Sequence, residues 1–264
     1  MPLPDLDDRL AAAEAVIRAA GRLAAGHFAG RAHLTIDRKG AQDLVSEADR
    51  ACEDLIVAGL ARAFPQDGFL GEEGGSRNPG AAAIWVIDPI DGTHNFLTGI
   101  PFWCVSVGLV VRGIAVLGLI YDPSADELFS AASGKGAFLN GAPIRVSGET
   151  DITRARIGVG FSFRRTVGEH VRVVESLLSG GCEYLRLGSG ALGLAYTAAG
   201  RFDGYWERHI NAWDVAAGLA LVREAGGWTN DFFSGDGFTH GNEILASAPG
   251  LVEPLRRLTG LGQL

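Results

Sequence analysis

The sequence predicts an α+β protein, mostly antiparallel sheet in its first half and alternating strand and helix in its second, on three observations. Two apolar, β-branched runs, residues 104–111 and 114–121, flank Arg112-Gly113 as the arms of a hairpin would. Asn140-Gly141, a strong hairpin signal, joins runs at 137–139 and 143–146. From Ile157 onward, runs of strand length alternate with helical ones, which implies a sheet covered by helices. At roughly 150 residues per domain, 264 residues suit a single domain over 1–264, with close subdomains at about 1–150 and 151–264.

The elements follow in chain order. Leu6, Leu10, Ala13, Ile17, Ala20 and Ala24 recur every three or four residues, so 5–28 is an amphipathic helix. A second helix spans 46–64, opened by the capping pattern Ser46-x-x-Asp49 and stopped by Pro65. Gly71-Glu72-Glu73-Gly74-Gly75 reads as a turn, and 84–88 as a short buried strand running into Pro89-Ile90-Asp91-Gly92-Thr93. The stretch 102–121 is long and apolar enough to raise a membrane span, but Arg112 and Gly113 at its centre favour the hairpin. A strand at 128–131 precedes the Asn140-Gly141 hairpin. Strands at 157–161, 183–187 and 203–207 then alternate with helices at 166–178, 189–199 and 212–225, and short strands near 228–231 and 243–246 lead to a helix at 251–258.

Composition narrows the function. Glycine, 38 of 264, is about twice its usual share and signals many tight turns. A net charge of −8 supplies no basic field to gather nucleic acid or an anionic membrane, so neither is expected as a partner. An acidic chain can still act on an anion when its carboxylates hold divalent cations. Cys52, Cys104 and Cys182 are odd in number and lack metal or disulfide spacing, and Met1-Pro2-Leu3-Pro4-Asp5 has no secretory character. The expected location is therefore the cytoplasm.

The acids that a solvated face does not explain are Glu72, Glu73, Asp88, Asp91 and Asp214. Each has a local explanation when taken alone. Asp214 suits the third position of a helix capped by Asn211, Asp49 suits the capping box of Ser46, and Asp91-Gly92 suits a plain turn. A strand ending in Asp and followed by Pro-x-Asp-Gly-Thr is harder to explain that way. Carboxylates on short turns at strand ends, with a carbonyl from the same turn, are what a hard cation such as Mg²⁺ requires, and no His/Cys set has zinc spacing.

Residues 85–96, Trp-Val-Ile-Asp-Pro-Ile-Asp-Gly-Thr-His-Asn-Phe, resemble the first signature of the inositol monophosphatase family, and Trp213-Asp214 through Gly226-Gly227 resemble its second. Asp43 to Asp49 and Gly71-Glu72-Glu73 sit in family order, so the resemblance covers roughly residues 35 to 247. It implies the layered αβαβα sandwich shared with fructose-1,6-bisphosphatase and a Mg²⁺-dependent phosphomonoesterase using two to three ions. Glu72, Asp88 and the Ile90 carbonyl would hold one ion, Asp88, Asp91 and Asp214 a second, and Glu72 would support a third. Thr93, hydrogen-bonded to Asp49, would activate the attacking water, while the Gly92 and Thr93 amides cradle phosphate. Ser189, Gly190 and Glu207 would face the alcohol, Gly190 loosening that pocket where relatives carry alanine. His94 reads as a rim residue, and Lys39 stands near a loop that closes on the site. The resemblance further implies a small phosphorylated substrate, a homodimer and inhibition by lithium.

The best-matched substrate is myo-inositol monophosphate, with histidinol phosphate the alternative. The chain shows no basic run that would favour bisphosphates. Gly188-Ser189-Gly190-Ala191-Leu192-Gly193 matches a dinucleotide-binding fingerprint, but Glu207 follows only 14 residues after Gly193 and the preceding strands are antiparallel. A non-catalytic relative would be expected to have lost one of Asp49, Glu72, Asp88, Asp91, Thr93 or Asp214, and all are present.

Overall fold

The computed structural model describes residues 5–34, 36–40 and 43–261, with the side chains of 33, 36–40 and 43–45, those of Lys39 and Asp43 among them, outside the described set. The chain opens with α1 (Leu6–Ala29), the hairpin β1 (Ile36–Gly40) and β2 (Asp43–Ser46), and α2 (Glu47–Ala63). There follow β3 (Gly68–Gly71), β4 (Gly75–Arg77), β5 (Ala83–Asp91), α3 (Thr93–Thr98), β6 (Cys104–Val111), β7 (Ile114–Asp122), β8 (Glu127–Ala132), β9 (Gly136–Leu139) and β10 (Ala142–Ile144). The second half holds β11 (Arg156–Val159), α4 (Val167–Ser179), β12 (Glu183–Leu185), α5 (Gly190–Ala198), β13 (Gly204–Ile210), α6 (Ala212–Glu224), β14 (Trp228–Thr229), α7 (Gly237–His240), β15 (Asn242–Ser247) and α8 (Val252–Thr259).

Two sheets stack with helices outside and between them. The larger has eight strands in the order β10-β9-β8-β7-β6-β5-β3-β4, and the smaller five, β12-β11-β13-β15-β14. Ile17 of α1 and Ile56 of α2 pack with Trp85, Val107 and Leu119 on the outer face of the larger sheet. Leu192 and Leu194 of α5 and Val215 and Leu219 of α6 fill the space between the sheets, meeting Val86, Ile120 and Phe129 on one side and Tyr205 and Ile244 on the other. Val173 and Leu177 of α4 and Leu255 of α8 close the far face against Ile157, Trp206 and Leu245. This is the expected α+β sandwich, layered αβαβα.

Burial on both faces explains why β5 and β6 read as continuous apolar runs. The hairpins form as expected: Arg112 and Gly113 have φ of 53° and 76°, and Asn140 and Gly141 48° and 79°, the left-handed pairs of a twist-matched two-residue turn. Gly108 and Gly118 pair across β6 and β7. A Cβ on Gly108 would stand 2.9 Å from Ala216, so the glycines let α6 lie directly on the sheet and bring its first turn to the end of β5.

Several elements differ from expectation. The larger sheet is mostly antiparallel as expected, with β3 parallel to β5, but β3 and β4 lie where only a turn is expected, being too short and glycine-rich to show a period. The β1–β2 hairpin and α7 lie where no strand or helix is expected. The strand expected at 84–88 continues through Pro89 to Asp91.

Candidate active site

Asp88 and Asp91 stand three apart on one strand, so a regular pleat would point them to opposite faces. The pairing with β6 breaks the pleat. Asp88 lies opposite Ser106 and Asp91 opposite Cys104, so β5 advances three residues while β6 advances two. The extra residue is a bulge, a place where Pro89 is tolerated, and it brings both carboxylates into one cleft. The Ile90 amide donates back to Asp88 Oδ1 at 3.0 Å. Gly92 follows with φ of 96°, where a Cβ would press on the Phe102 carbonyl at 3.1 Å.

The other ligand candidates come from helix starts in the middle layer. Asp91 Oδ2 accepts from the Ser189 hydroxyl at 2.5 Å and from the Ala191 amide at 2.6 Å, so the N-terminus of α5 grips it. Asp214 caps α6, its Oδ2 accepting from the Asn211 amide at 2.9 Å, as its local pattern indicates. It still faces β5: one oxygen from each of Asp88, Asp91 and Asp214 lies within 4.8 Å of the others. With Glu72, these acids line a cleft of about 760 Å³ that also takes in Ile90, Gly92, Thr93 and Glu207.

Concentrated negative charge dominates this cleft. Asp88, 1% exposed, is held well above the usual carboxylate range by burial and then by the charges of Glu72, Asp91 and Asp214. Burial and Asp214 push Asp91 up to about 7, although Ser189 and Ala191 pull the other way. Burial raises Asp214 as well. An all-oxygen donor set that repels itself fits a hard divalent cation, whose charge would let all three ionise.

The remaining expected site residues are placed as follows. The Thr93 hydroxyl donates to the Ile90 carbonyl at 3.0 Å instead of to Asp49. Asp49 is buried at the start of α2, where its Oδ2 accepts from the Ser46 amide at 2.8 Å and hydroxyl at 2.6 Å; the capping box has claimed it. Ser189, at the wall of a recess beside the cleft, grips Asp91 and accepts from the Leu192 amide at 3.2 Å. Ile210 Cδ1 stands 2.6 Å from where a Cβ on Gly190 would be, so this side chain packs into the space the glycine leaves. His94 is exposed on the rim. Glu207 is buried beside a recess of about 160 Å³ off the cleft. The Tyr205 hydroxyl donates to its Oε2 at 2.8 Å, and burial pushes it up to about 8.

The glycines of the dinucleotide-like fingerprint serve packing. Gly193 leaves room for the Tyr205 ring, and a Cβ on Gly188 would stand 2.9 Å from Asn95 Nδ2. Two site residues carry no sequence signal: Arg164, which donates to Asn211 Oδ1 at 2.9 Å, and Arg186, both exposed along the cleft. They belong to segments more than 20 residues apart that only the smaller sheet brings together, so the cleft is less devoid of basic groups than composition suggests.

Carboxylates gathered at a bulge and a helix start could hold a metal ion, and the comparisons set this layered sandwich among phosphatases. The sequence profile of the inositol monophosphatase family matches residues 5–259. A Rhizobium meliloti protein named inositol-1-monophosphatase is 40% identical over 242 residues, covering 90% of this chain and 91% of its own. A Xylella fastidiosa protein named Nus factor SuhB is 43% identical over 221 residues, covering 83% and 80%. The crystal structure of extragenic suppressor protein suhB from Bartonella henselae superposes with a TM-score of 0.88 at 37% identity, over 97% of this chain and 98% of that one. The chain belongs to the inositol monophosphatase family and is a phosphoric monoester hydrolase. Among the described residues, no helix is long and apolar enough to cross a membrane.

Proposed function

We propose that the chain hydrolyses myo-inositol monophosphate to myo-inositol and phosphate with two to three Mg²⁺ ions. The observation that carries this reading is the Asp88, Asp91 and Asp214 cluster, with oxygens within 4.8 Å, at the wall of a cleft large enough for a sugar-sized ligand. Glu72 and Ile90 line the same cleft, and the Glu72 carboxylate and Ile90 carbonyl would complete the donor set. Magnesium held there would supply an activated water at neutral pH and neutralise charge on the phosphoryl and leaving oxygens. Thr93, which lines the cleft, and Asp49, buried at the start of α2, would be the pair that activates the attacking water. The backbone amides at Gly92 and Thr93, at the start of α3 beside the cleft, would receive phosphate oxygens.

Glu207 favours a polyol over histidinol as the alcohol. Burial raises the Glu207 carboxyl, and beside Tyr205 it would offer a substrate hydroxyl a hydrogen-bonding partner at the recess. Mg²⁺-dependent phosphate release from inositol 1-phosphate and histidinol phosphate, measured side by side, tests this. A preference of tenfold or more in kcat/KM for the inositol ester, about 1.4 kcal/mol, supports the reading, and the reverse preference overturns it.

Two further expectations belong here. Three free, buried cysteines suit a reducing cytoplasm. Val167, Val171 and Leu178 are exposed on α4 near exposed Phe163, an apolar face that supports a homodimer, to be read by sedimentation.

A further inference from the structure

Glu53, on α2, is 5% exposed and lies outside the carboxylate cluster, yet it is tied to it. Its Oε2 accepts from the Glu73 amide at 3.0 Å and its Oε1 from the Gly74 amide at 2.6 Å. A Cβ on Gly74 would stand 2.5 Å from Oε1, and one on Gly71 would also meet this carboxylate. The turn Gly71-Glu72-Glu73-Gly74 is therefore folded around the Glu53 side chain, and both flanking glycines leave space for it. Glu72, between them, is fixed from the other side: its amide donates to the Ile87 carbonyl at 3.2 Å, one residue before Asp88. Its carboxylate faces the cleft closely enough to act on Asp88.

We propose that Glu53 is a positioning residue for the metal centre, its carboxylate holding the Glu73 and Gly74 amides so that Glu72 is presented to the cleft in one place. The proposal rests on the metal-site reading above. Both oxygens of Glu53 are used as acceptors. Glu53→Gln keeps the shape but turns an NH₂ group toward one of the two amides, donor against donor, and releases that side of the turn.

The test is calorimetric titration of magnesium into the full chain, wild type against Glu53→Gln, alongside the magnesium dependence of phosphate release. The expected result is a Kd for magnesium about tenfold weaker, within the range for residues that orient a ligand without touching the ion, and a parallel rise in the magnesium needed for half-maximal rate. At saturating magnesium, kcat should stay within about threefold of wild type, since the reacting groups are untouched. A variant that melts earlier without metal but binds magnesium as tightly as wild type overturns the proposal, since a purely structural role predicts that pattern. If Glu53→Gln does not fold, Gly74→Ala displaces the same carboxylate from the turn side, and wild-type affinity there is equally fatal. A wild type that takes up no magnesium overturns the metal-site reading, and this proposal with it.

Discussion

The two walls of the cleft are built differently. The carboxylate wall comes from one strand end and one helix start, Asp88 and Asp91 on β5 and Asp214 on α6, each held by a neighbour close in sequence or by the first turn of α5. The opposite wall is gathered from Phe161 and Arg164 after β11, Arg186 after β12 and Glu207 on β13. The acids of the first wall sit in contiguous motifs, with Asp88 and Asp214 held by partners within three residues and Asp91 by the start of α5, whereas the second wall exists only once the smaller sheet has formed. Handling of the phosphate should therefore be hard to perturb except at the ligands themselves, and choice of alcohol easy to retune.

The largest effect expected is at the first wall. Asp91→Asn and Asp214→Asn should each lower phosphate release by about 10³-fold or more, beyond the ~10–100-fold of residues that only orient a ligand. The fold should survive, because a carboxamide oxygen can still accept from Ser189 and Ala191. A variant retaining most of its turnover would erase the proposed division between the walls.

Stability should respond to pH at the same wall. Burial and Asp214 raise Asp91 to about 7 in the metal-free chain, so its contribution is fully present below the unfolded carboxylate range near 4 and is lost as pH rises through about 7. The metal-free melting temperature should fall over that window, less so in Asp91→Asn, and magnesium should restore it. Calorimetric melts between pH 4 and 8 read this directly.

Smaller effects belong to the second wall. Glu207→Ala should cost about tenfold in kcat/KM for the inositol ester, the scale of one lost buried hydrogen bond. Glu207→Gln should lose less, because a carboxamide oxygen can still accept from Tyr205 while its NH₂ donates to a hydroxyl. Collapse of the glutamine variant would mean that Glu207 works as an anion.

The same contrast decides what could be read from sequence. The hairpins were legible because Arg112-Gly113 and Asn140-Gly141 are local signals, and Asp88, Asp91 and Asp214 because their motifs are contiguous. The bulge that turns Asp88 and Asp91 to one side was not, since it is a property of β5 paired with β6. Glu53 carries no signal in the sequence, because its partners lie 20 and 21 residues away and the glycines around Glu72 and Glu73 read only as a turn. Arg164 and Arg186 were invisible for the same reason at longer range.

The central claim is that the Asp88, Asp91 and Asp214 cluster is a magnesium site used for phosphoester hydrolysis. Magnesium titration of the melting temperature, wild type beside Asp91→Asn, tests it most directly. The prediction is a melting temperature that climbs with magnesium in wild type and barely moves in the variant. A flat wild-type curve, or equal rises in both proteins, would contradict it.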